Sequence, residues 1–227
     1  MPQPLAERMR PKSLDGYVGQ KHLVGPNKVL RRMIESGHLV SFILWGPPGV
    51  GKTTLARIIA DTLDREFYTL SAISSGVKDV REVIDGAKSK SLFSHAAAPI
   101  LFIDEIHRFN KAQQDALLGA VESGTVVLVG ATTENPSFEV ITPLLSRCQV
   151  FVLKSLETED LQALLDRAVS EDEILKERNI RIEETDALFR HSGGDGRKLL
   201  NILEIVVDAL ASNKEIIINN KTVTDCL

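Results

Sequence analysis

The sequence predicts a doubly wound α/β domain with a five-stranded parallel sheet, followed by a small helical domain. Three observations lead to this prediction. Five short runs rich in β-branched and apolar residues occur before Lys154, helical patterns separate these runs, and the pattern after Lys154 is almost entirely helical. Nearly continuous apolar strands that alternate with amphipathic helices are typical of a parallel sheet buried on both faces.

The predicted strands share an apolar, β-branched composition; they are SFILWG (41–46), EFYTLSA (66–72), PILFIDE (99–105), TVVLVGAT (125–132) and QVFVLK (149–154). Apolar side chains recur at three- and four-residue spacing in the segments between them, namely 27–37, 52–64, 77–90 and 111–122. This spacing predicts a helix in each segment. Because a helix connects successive strands, the sheet is predicted to be parallel.

The chain is predicted to divide at Lys154 into an α/β domain, residues 1–154, and a helical domain, residues 155–227. Amphipathic helices are predicted in the second domain at 156–169, 184–192 and 195–211, and EIIIN (215–219) suggests a short strand. The final residues, TVTDCL, begin like a helix capped by threonine and then stop. We therefore expect this chain to be a piece of a longer protein.

The composition indicates a globular protein without strong bulk attraction for nucleic acid or membranes. Of 227 residues, 43% are hydrophobic, which is enough for a sizeable core, and the formal net charge is -4. Any contact with nucleic acid must therefore come from a local basic patch. The cysteines, Cys148 and Cys226, and the histidines show no metal-ligand spacing, and no signal peptide or membrane span is apparent. These features predict a cytoplasmic protein without structural zinc or membrane contact.

A glycine-rich motif, GPPGVGKTT, predicts a P-loop NTPase, because it follows a predicted strand and opens a predicted helix. Its glycines let backbone N–H groups turn inward around phosphate oxygens. Lys52 is placed to reach the β- and γ-phosphates, and the Thr53 hydroxyl to bind Mg²⁺. The predicted phosphate-binding residues are Gly46, Pro47, Pro48, Gly49, Val50, Gly51, Lys52, Thr53 and Thr54. The alternative reading is an ordinary Gly-Pro turn.

Two acids end the predicted strand PILFIDE, at the sheet edge that carries the phosphate loop. Asp104 is predicted to hold the water shell of Mg²⁺, and Glu105 to orient and polarise the attacking water. The alternative is a pair of acids that cap the next helix. The letters DEIH also resemble the DExH box of helicases, but those enzymes need a second α/β domain that this chain cannot contain.

The fourth predicted strand is followed by polar residues that arrive at the same edge. Thr132, Thr133 and Asn135 lie in GATTENPSF, and one of them is predicted to touch the γ-phosphate or the water. Ordinary turn chemistry explains the same residues equally well.

The order of the motifs resembles that of AAA+ ATPases in the clamp-loader group. The motifs that carry this resemblance are GPPGVGKTT, FIDEIHRFN, GATTENPSF, LLSRC and GDGRKLLN. More narrowly, RPKSLDGYVGQ, HRFNKAQQDA and GATTENPSFE look like the replication-associated recombination protein A family (RarA) and its eukaryotic relative, the Werner-helicase-interacting protein. The resemblance covers essentially the whole chain and implies an AAA+ lid for the helical domain.

The resemblance implies ATP and Mg²⁺ as cofactors and assigns further roles. Tyr17 and Val18 match the segment that borders the adenine, and Thr132 or Thr133 matches the residue that senses the γ-phosphate. Arg197, in GDGRKLLN, matches the arginine that reaches from the lid toward that phosphate.

Arg147 stands among Leu144, Leu145, Val150 and Phe151, which we expect to be buried, with no acidic residue nearby in sequence. The resemblance implies that Arg147 is an arginine finger, which acts in trans on the nucleotide of a neighbouring subunit. The alternative is a buried arginine that bonds to carbonyl groups of its own subunit.

The resemblance also implies a DNA-stimulated ATPase that acts at stalled or gapped replication forks in replication, recombination and repair. Its implied partners are gapped, forked or junction DNA, further copies of itself in a homotetramer held by a region beyond the lid, and single-strand binding or other replication proteins. Candidate DNA contacts are Lys78 and Arg81, in a predicted helix start, and Arg108 and Lys111. The localisation implied is the bacterial cytoplasm, in association with the nucleoid.

Competing functions remain open from the sequence. One is a clamp-loader-like scaffold that binds nucleotide with little hydrolysis, and another is a RuvB-like branch-migration motor. HRFNKAQQD and ATTENPSF argue against the motor, and the intact Lys52 and Glu105 argue against the scaffold. A metabolic kinase is disfavoured because no acceptor pocket is suggested.

Overall fold

The structure is a computed structural model that describes residues 3–72, 75–93, 97–212 and 214–227. Its main sheet consists of β1 (Phe42–Trp45), β2 (Phe67–Ser71), β3 (Ile100–Asp104), β4 (Val127–Thr132) and β5 (Gln149–Val152). The strands are all parallel, in the order β2-β3-β4-β1-β5. The predicted α/β fold with a five-stranded parallel sheet is confirmed.

Helices lie on both faces of this sheet, which separates two hydrophobic clusters. The helices of this part of the chain are α1 (Leu5–Arg8), α2 (Lys21–Val24), α3 (Val29–Ser36), α4 (Lys52–Thr62), α5 (Val77–Phe93), α6 (Lys111–Glu122), α7 (Pro136–Glu139) and α8 (Thr142–Leu145). The four long helices, α3 to α6, agree with the predicted segments. The others have four residues each, too few to show a period of 3.6. No helix in the described ranges is long and apolar enough to cross a membrane.

The sheet register brings three strand ends to one edge. Trp45, at the end of β1, is level with Thr132, at the end of β4, and β3 lies on the other side of β4. Because all strands are parallel, the residues that follow β1, β3 and β4 emerge at the same edge. This edge carries the candidate site.

One prediction about burial is wrong. Val150 is 38% exposed and Leu145 is only partly buried, whereas Leu144 and Phe151 are buried as expected. Val152, in the same strand as Val150, is 47% exposed. The cause is the position of β5, which is an edge strand paired only with β1. Only one face of an edge strand is covered here, so its apolar residues alternate between core and solvent.

The helical domain has its own core and consists of α9 (Thr158–Glu171), α10 (Asp186–Ser192), α11 (Gly196–Ala209), α12 (Asn220–Cys226) and a two-stranded parallel sheet of β6 (Ile180–Ile182) and β7 (Ile216–Ile218). β7 lies within the predicted strand EIIIN. Its partner β6 has the same length but was not predicted, because Arg181 interrupts its apolar run. The last helix starts earlier than TVTDCL suggested. Asn219 is its N-cap, and Thr222, at position N3 of the helix, completes a capping box with it.

The first helix packs against the helical domain, although the predicted boundary includes it in the domain 1–154. Leu5 and Met9 belong to the core of the helical domain. Arg8 donates to both carboxylate oxygens of Asp172, at 2.7 and 3.1 Å, and to Glu204 at 3.0 Å. The amino-terminal segment therefore joins the helical domain through a buried carboxylate as well as through apolar contacts.

Replacement of Asp172 by Asn is expected to lower the free energy of unfolding by about 2 kcal/mol at neutral pH, because Arg8 loses a charge-assisted bidentate pair. Burial raises the pKa of Asp172, but hydrogen bonds from Arg8 and from the N–H groups of Leu175 and Ile174 outweigh burial and leave the pKa below its ordinary value. The contribution is therefore complete above the unfolded pKa of about 3.9 and is lost as the pH falls through the folded pKa.

Urea unfolding followed by circular dichroism, at pH 7 and at steps down to pH 3, measures this effect. The stability difference between wild type and Asp172→Asn should shrink below about pH 4. Asp208→Asn, at an exposed acid of the same domain, is the matched control and should change little. A difference for Asp172→Asn that is constant over this pH range would contradict the assignment.

Candidate nucleotide-binding site

The predicted phosphate loop connects β1 to α4 at the carboxyl edge of the sheet. Gly49 has φ 68° and Gly51 has φ 92°, both in the left-handed region that glycine adopts without strain. Gly51 is the N-cap of α4 and has no side chain to cap the helix. The first N–H groups of α4 are therefore available to an anionic ligand.

The loop is enclosed so closely that side chains would not fit at these glycines. A Cβ at Gly49 would lie 1.8 Å from Oδ1 of Asp195, and one at Gly51 would lie 2.8 Å from the ring of Tyr17. The Tyr17 hydroxyl donates to the carbonyl of Val50 at 3.0 Å. Burial raises the pKa of Tyr17, which keeps the phenol protonated as a donor. Tyr17 thus holds the phosphate loop by its hydrogen bond to Val50 and by the contact of its ring with Gly51.

Lys52 is buried beneath the loop and faces several charged groups. Its Nζ donates to the carbonyls of Gly46 at 2.7 Å and Pro47 at 2.8 Å. Burial lowers the pKa of Lys52, while the carboxylates of Glu105, Asp104 and Asp195 oppose this shift. An ammonium group has three donors, so one N–H remains for a phosphate oxygen.

Asp104 and Glu105 stand at the end of β3. Glu105 has φ 55° and ψ 47°, a left-handed conformation that is uncommon for a residue with a side chain. This conformation turns the chain out of β3 into a 3-10 turn, Ile106–Arg108. The side chain of Glu105 does not cap that turn, and Asn110 caps the next helix, α6. These contacts argue against the reading in which the acids merely cap a helix.

The polar residues after β4 take different positions. Thr132 is fully buried, and its Oγ1 accepts the N–H of Glu134 at 3.0 Å. The side chain of Asn135 accepts the N–H of Ser137 and caps α7. Thr133 instead places Oγ1 3.5 Å from Oε2 of Glu105. Among the residues predicted from this strand end, Thr133 is the one whose side chain faces the Glu105 carboxylate.

His107 is a residue of the site that the sequence analysis did not select. Its Nδ1 lies 2.9 Å from Oγ1 of Thr132 and 3.3 Å from Oε2 of Glu105. The position of a histidine two residues after Glu105 does not by itself predict this contact. The contact depends on the left-handed turn at Glu105, which is not readable from the sequence.

The helical domain rests directly on the phosphate loop through the start of α11. The N–H of Gly196 donates to the carbonyl of Gly49 at 3.2 Å, and Asp195 caps α11 by accepting the N–H of Lys198. Arg197 is exposed and lines the cavity above the phosphate loop that is described below. Burial lowers the pKa of Lys52, and the charge of Arg197 lowers it further. Asp195, which closes over Gly49, was not predicted.

A cavity of about 540 Å³ lies between the two domains and the amino-terminal segment. The predicted residues that line it are Tyr17, Val18, Pro48, Gly49, Val50, Gly51, Lys52, Thr53, Thr54, Asp104, Glu105 and Arg197. Gly46 and Pro47 hold Lys52 by their carbonyl groups. The volume is within the range of small-molecule sites.

The donors around this cavity fit a nucleoside triphosphate with Mg²⁺. Backbone N–H groups and Lys52 suit phosphate oxygens, and the Thr53 hydroxyl and the Asp104 carboxylate are hard oxygen ligands of the kind that Mg²⁺ prefers. Within the described residues, no group of three or more His, Cys, Asp or Glu side chains could hold a metal ion. A magnesium ion here would therefore depend on phosphate oxygens and water for its other ligands.

Arg147 does not line this cavity of its own chain. Its guanidinium bonds to the carboxylate of Glu122, to the carbonyl of Pro143 at 2.5 Å and to Ser146 Oγ at 3.2 Å. Glu122 lies 25 positions earlier, so the local sequence gave no sign of it. The Arg147 side chain is 37% exposed and that of Glu122 50%, and an ion pair so exposed contributes only about 0–1 kcal/mol.

The four basic residues predicted to contact DNA are all exposed. Lys78 and Arg81 belong to α5, and Lys111 begins α6 directly after the turn that contains Arg108. The side chain of Gln113 donates to the carbonyl of Ser75 at 2.8 Å, so the starts of α5 and α6 lie side by side. Two helix N-termini thus share a region with these basic residues, which suits phosphate groups.

A family model and the most similar known proteins agree with each other. Residues 42–156 match the family described as ATPase family associated with various cellular activities, AAA. Replication-associated recombination protein A of Haemophilus influenzae is 51% identical over 208 residues, covering 90% of this chain and 46% of that protein. The protein of the same name from Escherichia coli K12 is 48% identical over 214 residues, covering 91% of this chain and 46% of that protein.

A eukaryotic relative and a solved structure extend the comparison. The protein called ATPase WRNIP1 in Dictyostelium discoideum is 46% identical over 214 residues, covering 93% of this chain and 24% of that protein. The RuvB Holliday junction branch migration motor of Thermotoga maritima has a TM-score of 0.73 at 28% identity, covering 96% of this chain and 72% of that one. The chain thus spans less than half the length of the curated relatives named here.

Proposed function

Because the chain belongs to the AAA family of ATPases, we propose that it is the ATPase part of a DNA-dependent enzyme of the replication-associated recombination protein A type. The proposed place of action is the stalled or gapped replication fork, in replication, recombination and repair. One observation carries the proposal: Lys52, Asp104, Glu105 and Arg197 from separate elements line one cavity at the carboxyl edge of the sheet.

Each of these residues has a distinct part in the proposed hydrolysis. ATP, bound with Mg²⁺, supplies the phosphoanhydride bond that is cleaved. Lys52 balances charge on the β- and γ-phosphates, and Thr53 and Asp104 would hold the metal ion. Glu105 orients the attacking water and accepts its proton, and Thr133 steadies the Glu105 carboxylate. Arg197 approaches the γ-phosphate from the lid.

The lid contact suggests how turnover could move the protein. Gly196 is bonded to Gly49 in the phosphate loop, so a displacement of the loop is passed directly to α11. Gln20 holds the connection between the domains, because its side chain donates to the carbonyl of Lys154 at 2.7 Å and accepts its N–H at 2.9 Å. Hydrolysis would change the angle of the lid and with it the grip on DNA or on a replication partner.

The full-length protein is proposed to act as a homotetramer in the bacterial cytoplasm, in association with the nucleoid. Single-strand binding protein or other replication proteins are proposed partners. The motif resemblance supports these proposals, and the name of the relatives, replication-associated recombination protein A, supports a partner in replication.

ATP hydrolysis by the full-length protein, measured with and without gapped or forked DNA, tests the proposed function. DNA should stimulate turnover, and the double charge reversal Arg108→Glu with Lys111→Glu should weaken both stimulation and DNA binding. Each lost phosphate contact should reduce the slope of log affinity against log salt by about 0.9. Lys221→Glu, at an exposed lysine of α12, is the matched control.

The outcomes separate the candidates. Turnover at background with DNA and the full-length oligomer present would favour a nucleotide-dependent scaffold. Normal DNA stimulation and an unchanged salt slope in the double charge reversal would place the DNA contact elsewhere.

A RuvB-like motor is the second candidate, because the fold matches that of the Thermotoga protein over most of both chains. It predicts branch migration of a four-way junction and a hexameric ring. A tetramer without branch migration would exclude it.

A further inference from the structure

We propose that His107 is a positioning residue, which holds the carboxylate of Glu105 in place and ties it to the end of β4 through Thr132. This inference rests on the proposed ATP hydrolysis with Glu105 as the general base. It concerns a side chain that the proposed mechanism does not otherwise use.

The geometry places His107 between two elements of the site. Its Nδ1 lies 2.9 Å from Thr132 Oγ1 and 3.3 Å from Glu105 Oε2, and its side chain is only 13% exposed. The same oxygen, Oε2, also faces the Thr133 hydroxyl at 3.5 Å. Oε2 thus has the Thr133 hydroxyl as a hydrogen-bond donor and the His107 ring as a close polar neighbour. No hydrogen bond partner of Oε1 occurs among the described residues, which leaves Oε1 for the attacking water.

The hydrogen bonds of Thr132 define which atom carries the proton. Thr132 Oγ1 accepts the N–H of Glu134 at 3.0 Å and donates to the carbonyl of the same residue at 3.2 Å. Because its proton is directed to Glu134, Oγ1 faces His107 as an acceptor. We therefore assign the proton of the ring to Nδ1. An N–H at this position attracts both Thr132 and Glu105, whereas a bare lone pair would face a carboxylate.

The backbone explains why Glu105 needs such support. Its left-handed conformation takes the side chain out of the line of β3 and is strained for a residue with a Cβ. A side chain that projects from a turn has rotamer freedom unless its neighbours restrict it. Thr133, after β4, and His107, through its contact with Thr132 at the end of β4, both restrict it. A displacement at the end of β4 would therefore reach Glu105 through His107.

The test compares steady-state ATP hydrolysis by full-length variants at saturating DNA. His107→Ala should lower kcat for ATP roughly 10-fold, the lower end of the range for loss of an orienting partner, with KM and nucleotide affinity within about 2-fold of wild type. His107→Asn should recover most of this loss, because its amide N–H can occupy the place of Nδ1–H. His107→Gln, which puts the amide one bond further away, should recover less.

Two comparisons make the result specific. His38→Ala, at an exposed histidine bonded to Ser36, is the matched control and should behave as wild type. In a Glu105→Gln background, His107→Ala should cause no further loss, since residues that act as a unit are not additive.

The outcomes distinguish this inference from the proposed function. If wild-type turnover stays at background with DNA present, the proposed function itself fails. If Glu105→Gln hydrolyses ATP like wild type, Glu105 is not the general base and the role of His107 is overturned with it. If Glu105→Gln is inactive but His107→Ala is fully active, only the role of His107 is overturned. A loss that Asn does not rescue, accompanied by weaker nucleotide binding and a lower melting temperature, would show a merely structural role and would also overturn the inference.

Discussion

Replacement of Glu105 by Gln is expected to reduce ATP turnover by roughly 10²- to 10⁴-fold, the usual contribution of a general base. The amide keeps the shape of the side chain and its contacts with Thr133 and His107, but it cannot take a proton from water. Nucleotide binding should be retained or slightly strengthened, because a carboxylate near Lys52 that would repel the phosphates is removed.

Steady-state hydrolysis and equilibrium titration with a fluorescent nucleotide, both on the full-length protein, separate these two effects. Glu134→Gln is the matched control, since Glu134 is an exposed acid in the turn after β4 and contacts Thr132 only through its backbone. It should leave both measurements unchanged. Wild-type turnover by Glu105→Gln would show that Glu105 is not the general base.

The parts of the fold that the sequence predicts well are those in which local pattern and tertiary burial agree. β1, β3 and β4 lie inside the sheet and are covered on both faces, so their apolar runs are unbroken. The phosphate loop is predicted because its glycines and Lys52 have a fixed spacing between a strand and a helix. In both cases the sequence signal lies in one short continuous run of residues.

The parts that could not be predicted depend on contacts between distant residues. Nothing local distinguishes β5 as an edge strand, and so the exposure of Val150 was missed. Leu5 reaches the helical core and Arg8 reaches Asp172 across 164 positions. The close approach of Asp195 to Gly49 could not be predicted for the same reason, because it depends on the folded helical domain, which is distant in sequence.

The end of β3 shows both situations within a few residues. Asp104 and Glu105 were selected because two acids end an apolar strand, but the turn that follows them was not visible. That turn places His107 beside Glu105 and Thr132. The turn also distinguishes the two threonines, because Thr132 contacts His107 and Thr133 contacts Glu105. Their spacing in the sequence does not distinguish them.

Replacement of Arg147 by Ala is expected to reduce DNA-stimulated turnover of the full-length oligomer by on the order of 10³-fold, the scale of an arginine finger supplied in trans. Within its own chain the guanidinium bonds to Glu122 and to the carbonyl of Pro143, outside the nucleotide cavity. Because this pair is half exposed, it is weak enough to be exchanged for a phosphate of a neighbouring subunit. Arg147→Lys should also be poorly active, since an ammonium lacks the planar fork of a guanidinium.

Mixing of subunits tests whether Arg147 acts on a neighbour. Arg147→Ala subunits keep Glu105, and Glu105→Gln subunits keep Arg147, so each variant alone is inactive but a mixed interface can be complete. Random mixing in equal amounts should restore about one quarter of wild-type turnover, the share of interfaces that combine both intact residues in a cyclic oligomer. Glu122→Gln, which removes only the partner within the chain, should keep its turnover. If the mixture stays inactive although the subunits exchange, or if Arg147→Ala alone matches wild type, Arg147 is a surface residue of its own subunit and the shared site is wrong.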